Sequence, residues 1–165
     1  MKKLILILIF IPNILFAGSM KAIGTKGNKE NVDRVITVVM YDNYYKPNSF
    51  KVNKNETIKF EVTNKGELVH EFNIATKEMH LKHQPEMMMM VEHEILLADK
   101  IDKKKMMEMS KKNPAMSHSH SNSVLLSPGE KAELIWKFSN TVDLEAACNV
   151  PGHYDVGMIA KIDNI

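Results

Sequence analysis

Cysteine is all but missing from this 165-residue chain, in which Cys148 is the only one. A single thiol excludes an intramolecular disulfide, the staple that exported proteins often use. Long apolar runs are missing too. The stretch from Leu4 to Ile11 is broken by Pro12 and Asn13, and it falls short of the roughly 20 residues that a spanning helix needs. There is no Gly-rich phosphate loop, no basic stripe and no internal repeat, and a formal net charge of +2 gives little footprint for nucleic acid.

What is present begins with an export signal. Lys2 and Lys3 precede the apolar run, and the small residues Ala17 and Ser19 suit a signal-peptidase site, so residues 1–19 are expected to be a signal peptide. No cysteine follows the run, so a lipid anchor is not indicated, and the mature protein is expected in the periplasm without a membrane anchor. A polar, flexible N-terminal segment is expected over 20–31, followed by one domain over 32–165. A make-up of 44% hydrophobic and 25% charged residues suits such a domain.

From Val32 to Tyr41 the chain is rich in β-branched residues and alternates in period two, as a half-buried strand does. Similar short runs follow: Phe50 and Val52; Ile58, Phe60 and Val62; Leu68, His70, Phe72 and Ile74. Beyond Ser127-Pro-Gly-Glu130 come Ala132, Leu134, Trp136 and Phe138, then Leu144, Ala146 and Cys148, then Met158, Ala160 and Ile162. Each set shares one strand face. Turn chemistry at Asn53 to Glu56, Asn64 to Glu67 and Ser127 to Glu130 separates the runs, which predicts an all-β, antiparallel two-sheet sandwich.

Residues 76–123 break that rhythm. They hold nine of the 13 methionines (Met79, Met87 to Met90, Met106, Met107, Met109 and Met116) and His80, His83, His93, His118 and His120. Glu86 to Lys112 is free of Pro and Gly and is bounded by Pro85 and Pro114, which predicts one or two helices in an insertion between strands.

The sharpest chemical signal is Cys148-Asn-Val-Pro-Gly-His153-Tyr-Asp-Val-Gly-Met158, with His70 far upstream. Taken singly, Cys148 reads as an inert core thiol, an intermolecular bridge, a nucleophile or a metal ligand, and each histidine as a structural one. Taken together they are two imidazoles, a thiolate and a thioether, the donors that suit copper cycling between its two oxidation states. Cys148 ends one strand, Pro151 and Gly152 turn the chain, Met158 begins the next strand, and His70 closes the site from another. A site fixed by strands changes little on oxidation or reduction, which favours fast electron transfer.

Leu68-Val-His70-Glu-Phe72, Glu56-Thr-Ile-Lys-Phe60 and the run Cys148 to Met158 resemble the cupredoxin family, over Val32 to Ile162. The likeness is greatest to the periplasmic cupredoxins linked to bacterial copper resistance. This resemblance implies a Greek-key β-sandwich of about seven or eight strands and one type 1 copper held by His70, Cys148, His153 and Met158. It implies an electron-transfer module that serves copper tolerance, has no substrate chemistry of its own, and passes electrons or copper to a partner protein. A binuclear electron-entry site would need two cysteines. Multicopper oxidases and copper nitrite reductases need ligand motifs on a second domain, which the chain lacks. The alternatives are a cuprous oxidase or copper-sequestering protein that uses the Met-rich insertion, and a respiratory carrier.

The insertion itself offers soft thioethers and imidazoles. His83 with Met87, and Met89 with His93, would lie one helical turn apart, and an extended Met116-Ser-His118-Ser-His120 would turn both histidines one way. These seven residues are the candidates for additional copper. The plainer reading makes the methionines packing and the histidines solvated loop residues.

Overall fold

The alternating runs do become strands. The computed structural model describes residues 22–139 and 141–165, so the expected signal peptide over 1–19 lies outside the described residues. The strands are β1 (Gly24–Lys26), β2 (Arg34–Tyr41), β3 (Tyr44–Lys46), β4 (Ser49–Val52), β5 (Thr57–Asn64), β6 (His70–Ala75), β7 (Ser123–Leu126), β8 (Lys131–Phe138), β9 (Leu144–Ala147) and β10 (Ile159–Asn164). They form two five-stranded sheets, in the orders β1-β8-β5-β2-β3 and β4-β10-β9-β6-β7. The chain changes sheet after β3, β4, β5, β7 and β8, which is Greek-key behaviour. Pairing is antiparallel except for β2 with β5 and β4 with β10.

Ten strands exceed the expected seven or eight because of short ones such as β1 and β3, each of three residues. Neither is long enough to show a period. The strand β1 also corrects the expectation of a flexible segment over 20–31. Ile23 is fully buried, its carbonyl accepts from the Trp136 indole at 3.1 Å, and Gly24 to Lys26 pair with Phe138 to Trp136.

Inward residues of both sheets meet in one core. Phe60 lies 5.3 Å from both Phe50 and Phe72, ring centre to ring centre, and 6.2 Å from Phe138. Each such side chain contributes about 1.5–3 kcal/mol by leaving water. Tyr45 meets Phe72 edge-on at 5.7 Å and donates its hydroxyl to the Glu71 carbonyl at 2.5 Å, which ties β3 to the strand that carries His70.

The insertion lies between β6 and β7 and holds two helices, α1 (Lys77–Glu92) and α2 (Lys103–Ser110). Thr76 caps α1 by accepting from the Met79 amide, and Asp102 caps α2 by accepting from the Lys105 amide. Contrary to the boundary expected at Pro85, α1 starts more than two turns earlier and runs through the proline. Pro85 and Leu81 are both exposed, so water can serve the Leu81 carbonyl that the proline leaves without a donor. Met87, Met90 and Met116 pack with Val69, Ile95, Leu96 and Ile101 into a second apolar cluster. The strand β6 is buried on both faces, with every residue from His70 to Ala75 enclosed.

Candidate metal centre

Three chain segments deliver the candidate ligands to one end of the sandwich. Cys148 follows the last residue of β9, Met158 precedes the first of β10, and Ala147 pairs with Ile159. That pairing closes the base of the loop, where the Cys148 amide donates to the Met158 carbonyl at 3.2 Å. Within the loop the His153 amide donates to the Val150 carbonyl at 2.9 Å, and the Met158 amide to the His153 carbonyl at 3.0 Å. Gly152 turns the chain at φ +87°, a conformation that costs side-chain-bearing residues energy. His153 is thereby folded back over Cys148.

His70 opens β6 and completes the group. Its Nδ1 lies 3.2 Å from His153 Nδ1 and 3.9 Å from Cys148 Sγ, and His153 Nδ1 lies 3.4 Å from the same sulfur. These three atoms could therefore share one ion. The donor set and spacings fit an ion bound by two imidazoles and a thiolate. Met158, at the loop base, is fully buried and packs in the main core.

The surroundings set the chemistry of each donor. Burial pushes the Cys148 thiol up to about 12, against a hydrogen bond from the Glu71 amide at 3.3 Å, so an incoming ion must displace its proton. Burial also holds His70 and His153 below the ordinary imidazole value, His153 further through its closeness to His70. Both rings are therefore neutral near pH 7 and able to ligate.

Asp42 decides which nitrogen of His70 does so. Its carboxylate accepts from the Glu67 and Leu68 amides at 3.1 and 3.2 Å and from His70 Nε2 at 2.8 Å. A proton held on Nε2 leaves Nδ1 free to face Cys148 and His153. Partial burial works against the charged form of Asp42, but those donors outweigh it and keep the carboxyl acidic. Gly66 makes room for the arrangement: a Cβ there would come within 2.3 Å of Asp42 Oδ1 and 2.8 Å of His70 Nε2. Gly66→Ala is expected to separate Asp42 from His70 and to cost about 1–3 kcal/mol in overpacking. Ring-nitrogen NMR checks it: the His70 Nε2 proton, protected in the parent, should exchange with solvent in the variant.

Behind Cys148 lies a buried carboxylate. Glu71 is fully enclosed; its Oε2 accepts from the amide and the side chain of Asn149 at 3.2 and 2.7 Å. Its Oε1 accepts from Asn73 at 3.1 Å and His118 at 2.9 Å, and lies 3.3 Å from His83 Nε2. Burial opposes ionisation, yet the two imidazoles hold this carboxyl well below its usual range.

Asp42 and Glu71 are the residues that sequence reasoning missed. Asp42 shows only as turn chemistry before Asn43, which adopts φ +69°. Strand alternation puts Glu71 on the face opposite His70, and nothing local says that the insertion covers that face. Of the additional candidates, the structure brings together His83, His118 and His120. It does not bring the others into that group: Met87 and Met116 are buried in the second apolar cluster, Met89 packs against it, and His93 is exposed at the end of α1.

Comparison with known proteins agrees with this fold. A model described as a cupredoxin-like domain matches residues 7–101, a span that includes His70 and ends before Cys148. The chain is 36% identical over 148 residues to the copper-resistant cuproprotein CopI of Pseudomonas aeruginosa, covering 86% of this chain and 82% of that protein. A Vibrio cholerae protein of the same name is 30% identical, over 87% of this chain and 70% of its own length. Among solved structures, reduced auracyanin from Roseiflexus castenholzii superposes with a TM-score of 0.57 at 15% identity, over 81% of this chain and 98% of that one. Auracyanin B gives 0.59 at 12% identity, over 86% and 96%. At such identities these two share the fold.

Proposed function

Because the chain belongs to the cupredoxin-like family, we propose that it is a periplasmic copper protein of copper resistance, with one type 1 copper at His70, Cys148, His153 and Met158. The observation that carries this reading is the convergence of His70 Nδ1, His153 Nδ1 and Cys148 Sγ within 3.9 Å of one another. The similarity to copper-resistant cuproproteins supports the biological setting. The basic and apolar start of the chain supports export. No helix among the described residues is long and apolar enough to cross a membrane.

Copper, when bound, supplies one-electron redox chemistry. The chain's part is to fix the donors. Cys148 gives up its proton, and the Glu71 amide then donates to the thiolate. Asp42 holds the His70 ring, and the β9–β10 pairing holds Cys148 and Met158 at the loop base. Donors fixed in this way move little between oxidation states, so the protein passes an electron to a partner without rearranging. The cuprous-oxidase alternative differs in requiring turnover with oxygen.

The test is a visible absorption and electron paramagnetic resonance spectrum of the purified protein loaded with Cu(II), beside Cys148→Ser. An intense thiolate-to-copper band in the parent that disappears in the variant is expected. A parent without the band would leave metal storage as the better account.

A further inference from the structure

The redox centre leaves a second group of ligating side chains unused. His83 on α1, and His118 and His120 on the segment before β7, each offer a ring nitrogen, all within 4.8 Å of one another. Their ring centres are 5.0 to 5.3 Å apart. His83 Nε2 lies 3.3 Å from His118 Nε2, and Glu71 Oε1 lies 3.3 Å from the first and 2.9 Å from the second. On the other side, the Glu86 carboxylate lies 2.9 Å from His120 Nε2 and 3.3 Å from His83 Nδ1.

Those spacings are informative. Donors bound about 2.0–2.1 Å from a tetrahedral ion lie roughly 3.3 Å from one another. His83 Nε2 and His118 Nε2, 3.3 Å apart, already stand at that separation. Contacts of His83 and His118 with Glu71, and of His120 with Glu86, are the plainer account, but that account does not say why the three rings crowd together. It also leaves unexplained why His118 adopts φ +45°, an unfavourable backbone for a residue with a side chain. Access fits as well: His118 is almost wholly buried, whereas the His120 side chain is 36% exposed and lines a cleft of about 490 Å³ with Lys29, Ser121 and Glu133. An ion can enter from water past one ligand and be held by two others.

We propose that His83, His118 and His120 form a second metal site for a divalent transition ion, copper(II) foremost, flanked by the carboxylates of Glu71 and Glu86. Three imidazoles suit zinc, nickel and copper alike, and the general order of divalent affinities puts copper(II) first. The site shares no ligand with the centre at Cys148. It does share a neighbour, because Glu71 faces the histidines with its carboxylate and Cys148 with its amide.

The test is copper counting on the full-length protein, His118→Ala and His120→Ala, with Cu(II) as the only probe. Metal per chain is measured after desalting, and paramagnetic resonance is recorded on each sample. The parent should retain a second equivalent, with imidazole-nitrogen splitting and no thiolate absorption. In His118→Ala that equivalent and its signal should vanish while the thiolate band stays. His120→Ala keeps both histidines that face Glu71, so it serves if His118→Ala fails to fold, and it should bind the second equivalent roughly 10-fold or more weakly. A parent that holds one equivalent, or variants that hold the second as tightly as the parent, overturns the proposal. A second equivalent in a parent without the thiolate band supports this site and overturns only the reading of the first.

Discussion

Glu71→Ala should lower the thermal midpoint of the metal-free protein by roughly 10 °C, and Glu71→Gln by a smaller but clear margin. The carboxylate is fully buried and accepts from Asn73, His118 and both donors of Asn149, with His83 close by. Removing it strands these polar groups, and breaking a buried charge pair costs about 3–5 kcal/mol. At about 2–4 °C per kcal/mol for a domain near this size, that gives the stated fall. Glutamine has the right shape but the wrong chemistry. Every partner donates, so the amide NH2 of Gln would face other donors on one side, at a cost of about 1–3 kcal/mol. Calorimetry checks both variants, and an unchanged midpoint in Glu71→Gln would mean that the carboxylate's charge has no structural role.

The metal-free protein should be most stable near pH 6.5 and should weaken on either side. His83 is partly desolvated, but Glu71 and Glu86 more than offset this and raise it from 6.5 to about 10. Its contribution is complete below 6.5 and is lost as pH climbs toward 10. Cys148 adds to that loss from about 9.0 upward, because the unfolded chain releases a thiol proton that burial retains up to about 12 in the fold. In the other direction, burial lowers His70, His80 and His153, so below 6.5 the unfolded chain takes up protons that the fold refuses. Glu86, half-buried but held down to about 2 by His120 and His83, adds stability above 4.5 that is lost as pH falls further. Midpoints followed across roughly pH 4 to 9, with His83→Gln in parallel, decide the matter. The variant should lose the decline between pH 6.5 and the thiol range, and a decline of equal slope in both proteins would remove His83 as its cause.

Cys148, His153 and Met158 were legible as candidates because they lie on one loop, and the fold sets His153 Nδ1 3.4 Å from Cys148 Sγ. His70 could be added because its strand alternates with large apolar residues. Asp42 could not, since it reaches His70 across a turn that has no sequence period. Strand alternation located most of the core but not β1, whose three residues show no pattern and are held by Trp136. In the insertion, helical spacing paired His83 with Met87 and Met89 with His93. The fold instead turns His83 toward His118, 35 residues away, and gives Met87 and Met116 to packing. Which side chains converge in this region depends on how α1 lies over β6, and no local pattern encodes that.

The outermost strands of the two sheets, β1 and β3 in one and β4 and β7 in the other, are each only three or four residues long. A sheet edge exposes unpaired amides and carbonyls on which a neighbouring chain can add a strand, and the hazard grows with the length of flat edge on offer. The long strands β2, β5 and β8 are all interior to their sheet. Among the described residues the edge strands are thus short templates for a neighbouring chain, and the longer stretches of edge are the parts of β2 and β8 that β3 and β1 leave uncovered, since β3 pairs only with Val39 to Tyr41 and β1 only with Trp136 to Phe138.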